Sequence, residues 1–102
     1  MKYSITGIKN IGNVHEYIIK KESNIHGAFC GLLVDLCMDK EDVLNQVDII
    51  FDDLDNELIY LTNNESDVYL FITRDYVNLV IKTKIEQEKL NKKMEKYFSF
   101  PK

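Results

Sequence analysis

Little in this chain interrupts it: 102 residues hold one proline and four glycines, and tryptophan is missing. The proline is Pro101, beyond the last patterned segment, where it ends a helix rather than breaking one. Arginine is nearly absent too, with Arg74 standing alone against twelve lysines. A protein built to grip phosphates uses arginine's bidentate fork, so the scarcity argues against direct nucleic-acid binding. The surplus of Lys, Ile, Asn, Asp and Tyr fits an AT-rich bacterial or phage genome.

Long apolar runs are also lacking. The longest uninterrupted apolar or glycine run is Gly27 to Val34, too short to span a membrane, and no apolar stretch near Met1 could serve as a signal-peptide core. The two cysteines, Cys30 and Cys37, lie seven apart inside one expected helix. Two turns of helix would hold them roughly 10 Å apart, too far for a disulfide, and a reducing cytoplasmic location is the expectation.

Motifs that carry chemistry are missing as well. There is no GxSxG, no GxxxxGK[ST] and no GxGxxG. His26, Cys30 and Cys37 fall on nearby turns of one mostly apolar helix, but neither CxxC nor HExxH spacing supports a metal, and core residues are the plainer reading. Asp53, Asp55 and Glu57 alternate like a calcium loop yet lack its glycine and distal glutamate. His15 and His26 sit in no nucleophile motif. The expectation is therefore a non-enzyme with no cofactor and no metal.

What is present is an ordinary globular composition, 45% hydrophobic, 29% charged and 11% aromatic, at a length suited to a single domain over residues 1–102. Lys2 to Thr6 alternates apolar and polar residues and predicts a half-buried strand. Asn13 with Glu16 three residues on resembles a capping box, and Val14, Tyr17 and Ile18 share a helical face until Ser23-Asn24, so a short helix is expected there, with a strand as the alternative. Ile25, Phe29, Leu32, Leu33 and Leu36 recur at helical spacing, and Gly27, Ala28 and Gly31 leave room for a close neighbour.

Asp39 then caps a third expected helix, with Val43, Leu44, Val47, Ile50, Phe51 and Leu54 as its apolar stripe. Three β-rich segments come next, Glu57 to Thr62, Val68 to Thr73 and Tyr76 to Ile85, and read as an antiparallel meander. If Thr73 opposes Tyr76, one face carries Val68, Leu70, Ile72, Val77, Leu79 and Ile81, and the other carries Tyr69, Phe71, Thr73, Tyr76, Asn78 and Val80. A lysine-rich helix from Glu86 to Phe98 docks back through Leu90, Met94, Tyr97 and Phe98. The whole reads as α+β: an N-terminal strand, two or three helices, the meander and a C-terminal helix.

Charge is segregated beneath the net −4: residues 1–34 sum to +2, 35–67 to −10, 68–83 to +1 and 84–102 to +3. On the expected helix from Lys40 to Leu54, Glu41, Asn45, Asp48, Asp52 and Asp55 fall at spacings of 4, 3, 4 and 3, one polar stripe. Like charges so spaced cost a helix about 0.2–0.5 kcal/mol per pair, and acids near its C-terminus oppose the macrodipole. A solvated face is the plain account of the stripe; uncompensated charge of one sign also steers a cationic partner. Tyr69, Phe71 and Tyr76 offer a second surface, unless a helix covers that face.

These features support two expectations of function, and a third has no named residues. The first is an acidic protein-binding inhibitor: an immunity protein, an antitoxin or a phage-encoded inhibitor that occludes the basic active site of a partner such as a nuclease toxin, using Asp48, Asp52, Asp55, Tyr69, Phe71 and Tyr76. The second is a self-associating structural or regulatory module joined through the sheet face or an edge strand. A small enzyme or ligand binder would instead need a deep pocket bringing His15 or His26 beside a carboxylate.

Overall fold

Alternation of side chains along six strands, each burying one face, fixes the architecture. The computed structural model describes residues 2–49, 51 and 55–101. In chain order the elements are β1 (Tyr3–Ile11), β2 (Val14–Lys20), α1 (Ile25–Asp35), α2 (Lys40–Val43) running into a π-helical turn (Leu44–Asp48), β3 (Glu57–Thr62), β4 (Ser66–Ile72), β5 (Tyr76–Thr83), α3 (Gln87–Glu95) and β6 (Phe98–Ser99). The strands form one sheet in the order β3-β4-β5-β2-β1-β6, antiparallel except for the β1–β6 pair. The class is α+β, as expected, and the β3-β4-β5 meander is present as half of a larger mixed sheet.

The segment from Asn13 to Ile18 is a strand and not a helix. Within β2, His15, Tyr17 and Ile19 are buried while Val14, Glu16 and Ile18 lie on the other face, the period of two that a helix cannot satisfy. Gly12, at φ 58°, makes the reversal that pairs Ile11 with Val14. The first strand also outruns the expected Lys2 to Thr6. A bulge between Ile5 and Gly7 shifts its register, so the alternation in the sequence stops at a point where the strand continues.

α1 buries Ile25, Ala28, Phe29, Leu32 and Leu33 against the sheet. It ends in a Schellman turn: the Met38 N–H reaches the Leu33 carbonyl, the Cys37 N–H reaches that of Val34, and Cys37 takes the left-handed conformation at φ 63°. Gly31 serves the close approach anticipated for it, since a Cβ there would lie 2.5 Å from the Tyr97 ring. Nothing lies within 4 Å of the corresponding position at Gly27.

Over its described residues, the expected helix from Lys40 to Leu54 is less regular than its apolar stripe implies. Asp39 caps it as anticipated, accepting from the Asp42 N–H at 3.1 Å. After Val43 the turn widens, with the Ile49 N–H bonding to the Leu44 carbonyl. That extra residue rotates the next turn by about 100° relative to an α-helix. Val43, Val47 and Phe51 are buried, Leu44 is exposed, and Ile50 and Leu54 lie outside the described residues.

The described helical segments all pack on one face of the sheet. The core gathers Ile5, Tyr17 and Ile19 from the N-terminal hairpin and Val68, Leu70, Ile72, Val77, Leu79 and Ile81 from the meander, beneath α1, the π turn and α3. These six meander residues are the face assigned to the core in the sequence. α3 contributes Leu90 and Met94, and Phe98 comes next in β6, where it pairs with Tyr3. No helix among the described residues is long and apolar enough to cross a membrane.

Candidate interaction surface

With every described helix on one side of the sheet, the other side is open, and its composition is unusual for a surface. Strand pairing sets the rows. Tyr60 opposes Tyr69 and Leu58 opposes Phe71 across β3–β4; Phe71 opposes Asn78 and Tyr69 opposes Val80 across β4–β5; Ile18 opposes Asn78 across β2–β5. Tyr76 stands one row beyond Asn78, opposite Lys20. These residues have the parity opposite to the core set, so their side chains rise from the uncovered face.

Exposure agrees with the parity: Leu58 is 58% exposed, Tyr60 45%, Tyr69 36%, Phe71 41% and Tyr76 45%. Side chains of this size, each open by two-fifths or more on average, present roughly 400 Å² of contiguous surface, within the range of the largest patches on soluble monomers. The rings are ordered against each other. Tyr60 and Tyr69 stack with centroids 4.8 Å apart and planes 28° from parallel. The Tyr60 hydroxyl donates to Asp67 Oδ1 at 2.8 Å, and the Thr62 hydroxyl donates to the same oxygen at 2.6 Å. The Thr62 and Tyr60 hydroxyls, with the Lys82 charge adding to them, hold the Asp67 carboxyl below the usual range. A cross-strand aromatic pair stabilises a sheet by about 0.2–1 kcal/mol, which accounts for Tyr60 and Tyr69 but not for Leu58, Phe71 and Tyr76 beside them.

Of the six residues expected to meet a partner, the structure brings together Tyr69, Phe71 and Tyr76. Asp48 belongs to the opposite layer, on the π turn, where its carboxylate lies 4.0 Å from His26 Nε2 on α1. Asp55 is exposed in the bend that leads into β3, and Asp52 lies outside the described residues. Leu58 and Tyr60 complete the face and were not singled out from sequence. The signal was there: extending the alternation into Glu57 to Thr62, with Asn63 opposing Ser66, sets Tyr60 against Tyr69.

Charge sorts differently on the two layers. α2 and its approaches carry Asp39, Glu41, Asp42 and Asp48, all exposed. The open face mixes signs, with Lys9 opposite Glu16 and Asp67 opposite Lys82. Of the described acidic candidates, Asp48 thus lies in the layer opposite the aromatic face and Asp55 in the bend before β3.

No protein-family model, curated protein or solved structure matches this chain.

Two of the remaining chemistry-bearing groups, His15 and Cys30, lie in or against the core. His15 is buried and shares a 2.8 Å hydrogen bond with Asn10 Oδ1, and burial lowers its pKa. Burial, with the Asp48 charge adding to it, pushes the Cys30 thiol up to about 11, a protonated and unreactive state at neutral pH. Among the described residues no three His, Cys, Asp or Glu side chains converge on a metal position. A cleft of about 630 Å³ opens between the end of α1, the β3–β4 turn and α3, lined by Asp35, Cys37, Glu65, Lys84, Glu86 and Lys89 among others, and it contains neither His15 nor His26. The Asp35 carboxylate at its wall is engaged by the Tyr97 hydroxyl at 2.9 Å and Lys96 Nζ at 3.3 Å.

Proposed function

We propose that this chain is a protein-binding domain without chemistry of its own, an inhibitor of the immunity-protein or antitoxin kind, and that the open sheet face is where it meets its partner. The observation that carries the reading is the exposure of Leu58, Tyr60, Tyr69, Phe71 and Tyr76 together on a face that no described helix covers. Tyrosine and phenylalanine concentrate at the centres of protein interfaces because they bury much area at little conformational cost. A patch of roughly 400 Å² is about half of what one partner contributes to a standard interface, a suitable core for one.

The partner is a basic protein. With a net charge of −4 and −10 concentrated in residues 35–67, the chain is attracted to a cationic surface and repelled by nucleic acid. The open face supplies contact, while the acids of the helical layer act at longer range as a steering field. A nuclease toxin fits, since its cleft is basic to hold phosphate; covering that cleft with a folded acidic domain excludes the substrate both sterically and electrostatically.

Co-expression with the product of the adjoining gene tests this. The expected outcome is a complex that survives gel filtration and whose association rate falls steeply between low and moderate salt. Absence of a complex, or an association rate indifferent to salt, counts against a basic partner.

A further inference from the structure

The two edges of the sheet are not alike. At one end β6 is two residues long, Pro101 stands just beyond it, and its neighbour β1 carries a bulge, three devices that discourage strand addition. At the other end β3 runs six residues, Glu-Leu-Ile-Tyr-Leu-Thr, with no lysine, proline, glycine or bulge. Its backbone polarity is set by the turn. The Asn63 N–H donates to the Ser66 carbonyl at 3.0 Å, which makes that pair hydrogen-bonded and, by alternation, 61/68, 59/70 and 57/72 as well. The N–H and C=O groups of Leu58, Tyr60 and Thr62 therefore point away from β4 along the outer edge.

We propose that this edge binds the β3 edge of a second copy of the chain, antiparallel, with Ile59 opposite its own counterpart. In that register Leu58 of each chain forms a hydrogen-bonded pair with Tyr60 of the other, closing four backbone hydrogen bonds. Both side chains rise on the open face, so two Leu–Tyr pairs join the Tyr60–Tyr69 and Leu58–Phe71 rows of the two molecules into one aromatic surface. On the helical side Ile59 and Leu61 are already buried by their own chain.

The seam brings no like charges face to face, although each chain is acidic: Asp55 falls opposite Asn63 and Glu57 opposite Leu61. Pairing of β3 with β3 is isologous and closes at two chains instead of extending into a fibre. Edge pairing with two side chains removes on the order of 400 Å² per chain, about half of a standard interface, so the dimer is concentration-dependent.

Sedimentation equilibrium of the full chain from micromolar to millimolar concentration tests this. The weight-average mass should rise toward twice the 12.0 kDa of one chain. Tyr60→Pro removes an outward N–H, tolerable at an edge, together with the ring that stacks on Tyr69, and should remain monomeric throughout. Phe71→Ser, one strand inward, should dimerise like the parent even where it abolishes binding to a basic partner, which separates this inference from the function proposed above. In the unaltered chain, amide exchange at Leu58 and Tyr60 should slow at least tenfold at millimolar concentration, while Ile59 and Leu61 stay protected at every concentration. A parent chain that is monomeric at millimolar concentration, a Tyr60→Pro chain that dimerises as the parent does, or Leu58 and Tyr60 amides indifferent to concentration overturns the proposal.

Discussion

His15 shows how one residue's environment, invisible in the sequence, decides its role. The sequence places it in a short amphipathic segment, where it could be a surface residue, a ligand or a base. In the fold it is buried on the helical side of β2, bonded to Asn10, and its pKa lies below the ordinary 6.5 because burial disfavours the imidazolium. The sign of the consequence is definite. The unfolded chain takes up a proton near pH 6.5 while the native chain resists until lower pH, so this contribution to stability is intact above 6.5 and declines as pH falls below it. Urea midpoints measured from about pH 7.5 down to about pH 5 should fall more for the native sequence than for His15→Gln, which cannot titrate; equal slopes would assign the acid sensitivity elsewhere.

At the scale of elements, segments with an unbroken period were legible and those with a local irregularity were not. The meander was readable because its strands alternate cleanly and the Thr73–Tyr76 pairing fixes the register; the Thr73 N–H indeed donates to the Tyr76 carbonyl at 2.9 Å. β2 was ambiguous because Val14, Tyr17 and Ile18 fit a helix as well as a strand over so short a run. The bulge in β1 and the π turn after α2 each insert one residue into a repeat, and a pattern matched to an ideal period ends or drifts there. The stripe from Glu41 to Asp55 assumed an unbroken helix; among the described residues the widened turn interrupts it at Leu44–Asp48, and Asp55 lies in a bend.

The β3–β4 hairpin depends on Asn63, whose importance is tertiary and left no trace in spacing. Its Oδ1 accepts from the Glu65 and Ser66 N–H groups at 2.9 and 2.8 Å, and its Nδ2 donates to the Leu36 carbonyl at the end of α1, 2.8 Å away. One side chain thus closes the turn and ties it to the helical layer. Asn63→Ala should cost about 2 kcal/mol in chemical denaturation because it orphans three backbone groups, whereas Asn64→Ala, on the exposed tip, should stay within about 0.5 kcal/mol.

For the molecule as a whole, the two-layer arrangement separates residues that are adjacent in the sequence. Asp39, Glu41, Asp42 and Asp48 lie on the helical layer, while Tyr69, Phe71 and Tyr76 rise from the bare side of the sheet, where Asp67 of the same acidic block joins them. That Tyr69, Phe71 and Tyr76 share a face was readable from their parity; that nothing among the described residues covers it depends on where three helical segments pack, which no local pattern encodes. On the proposed function the two surfaces do different work, contact on the open face and long-range attraction by the acids, so substitutions on the face should act on dissociation and substitutions of acids on association.

The most direct test is calorimetric titration of the adjoining gene's product with the native chain and with a Tyr69→Ser, Phe71→Ser double variant, whose fold is checked by circular dichroism and urea midpoint. Removing two central aromatic contacts should weaken binding at least 100-fold, about 3 kcal/mol, with the fold intact. A folded double variant that binds as tightly as the native chain would contradict the assignment of the open sheet face as the recognition surface.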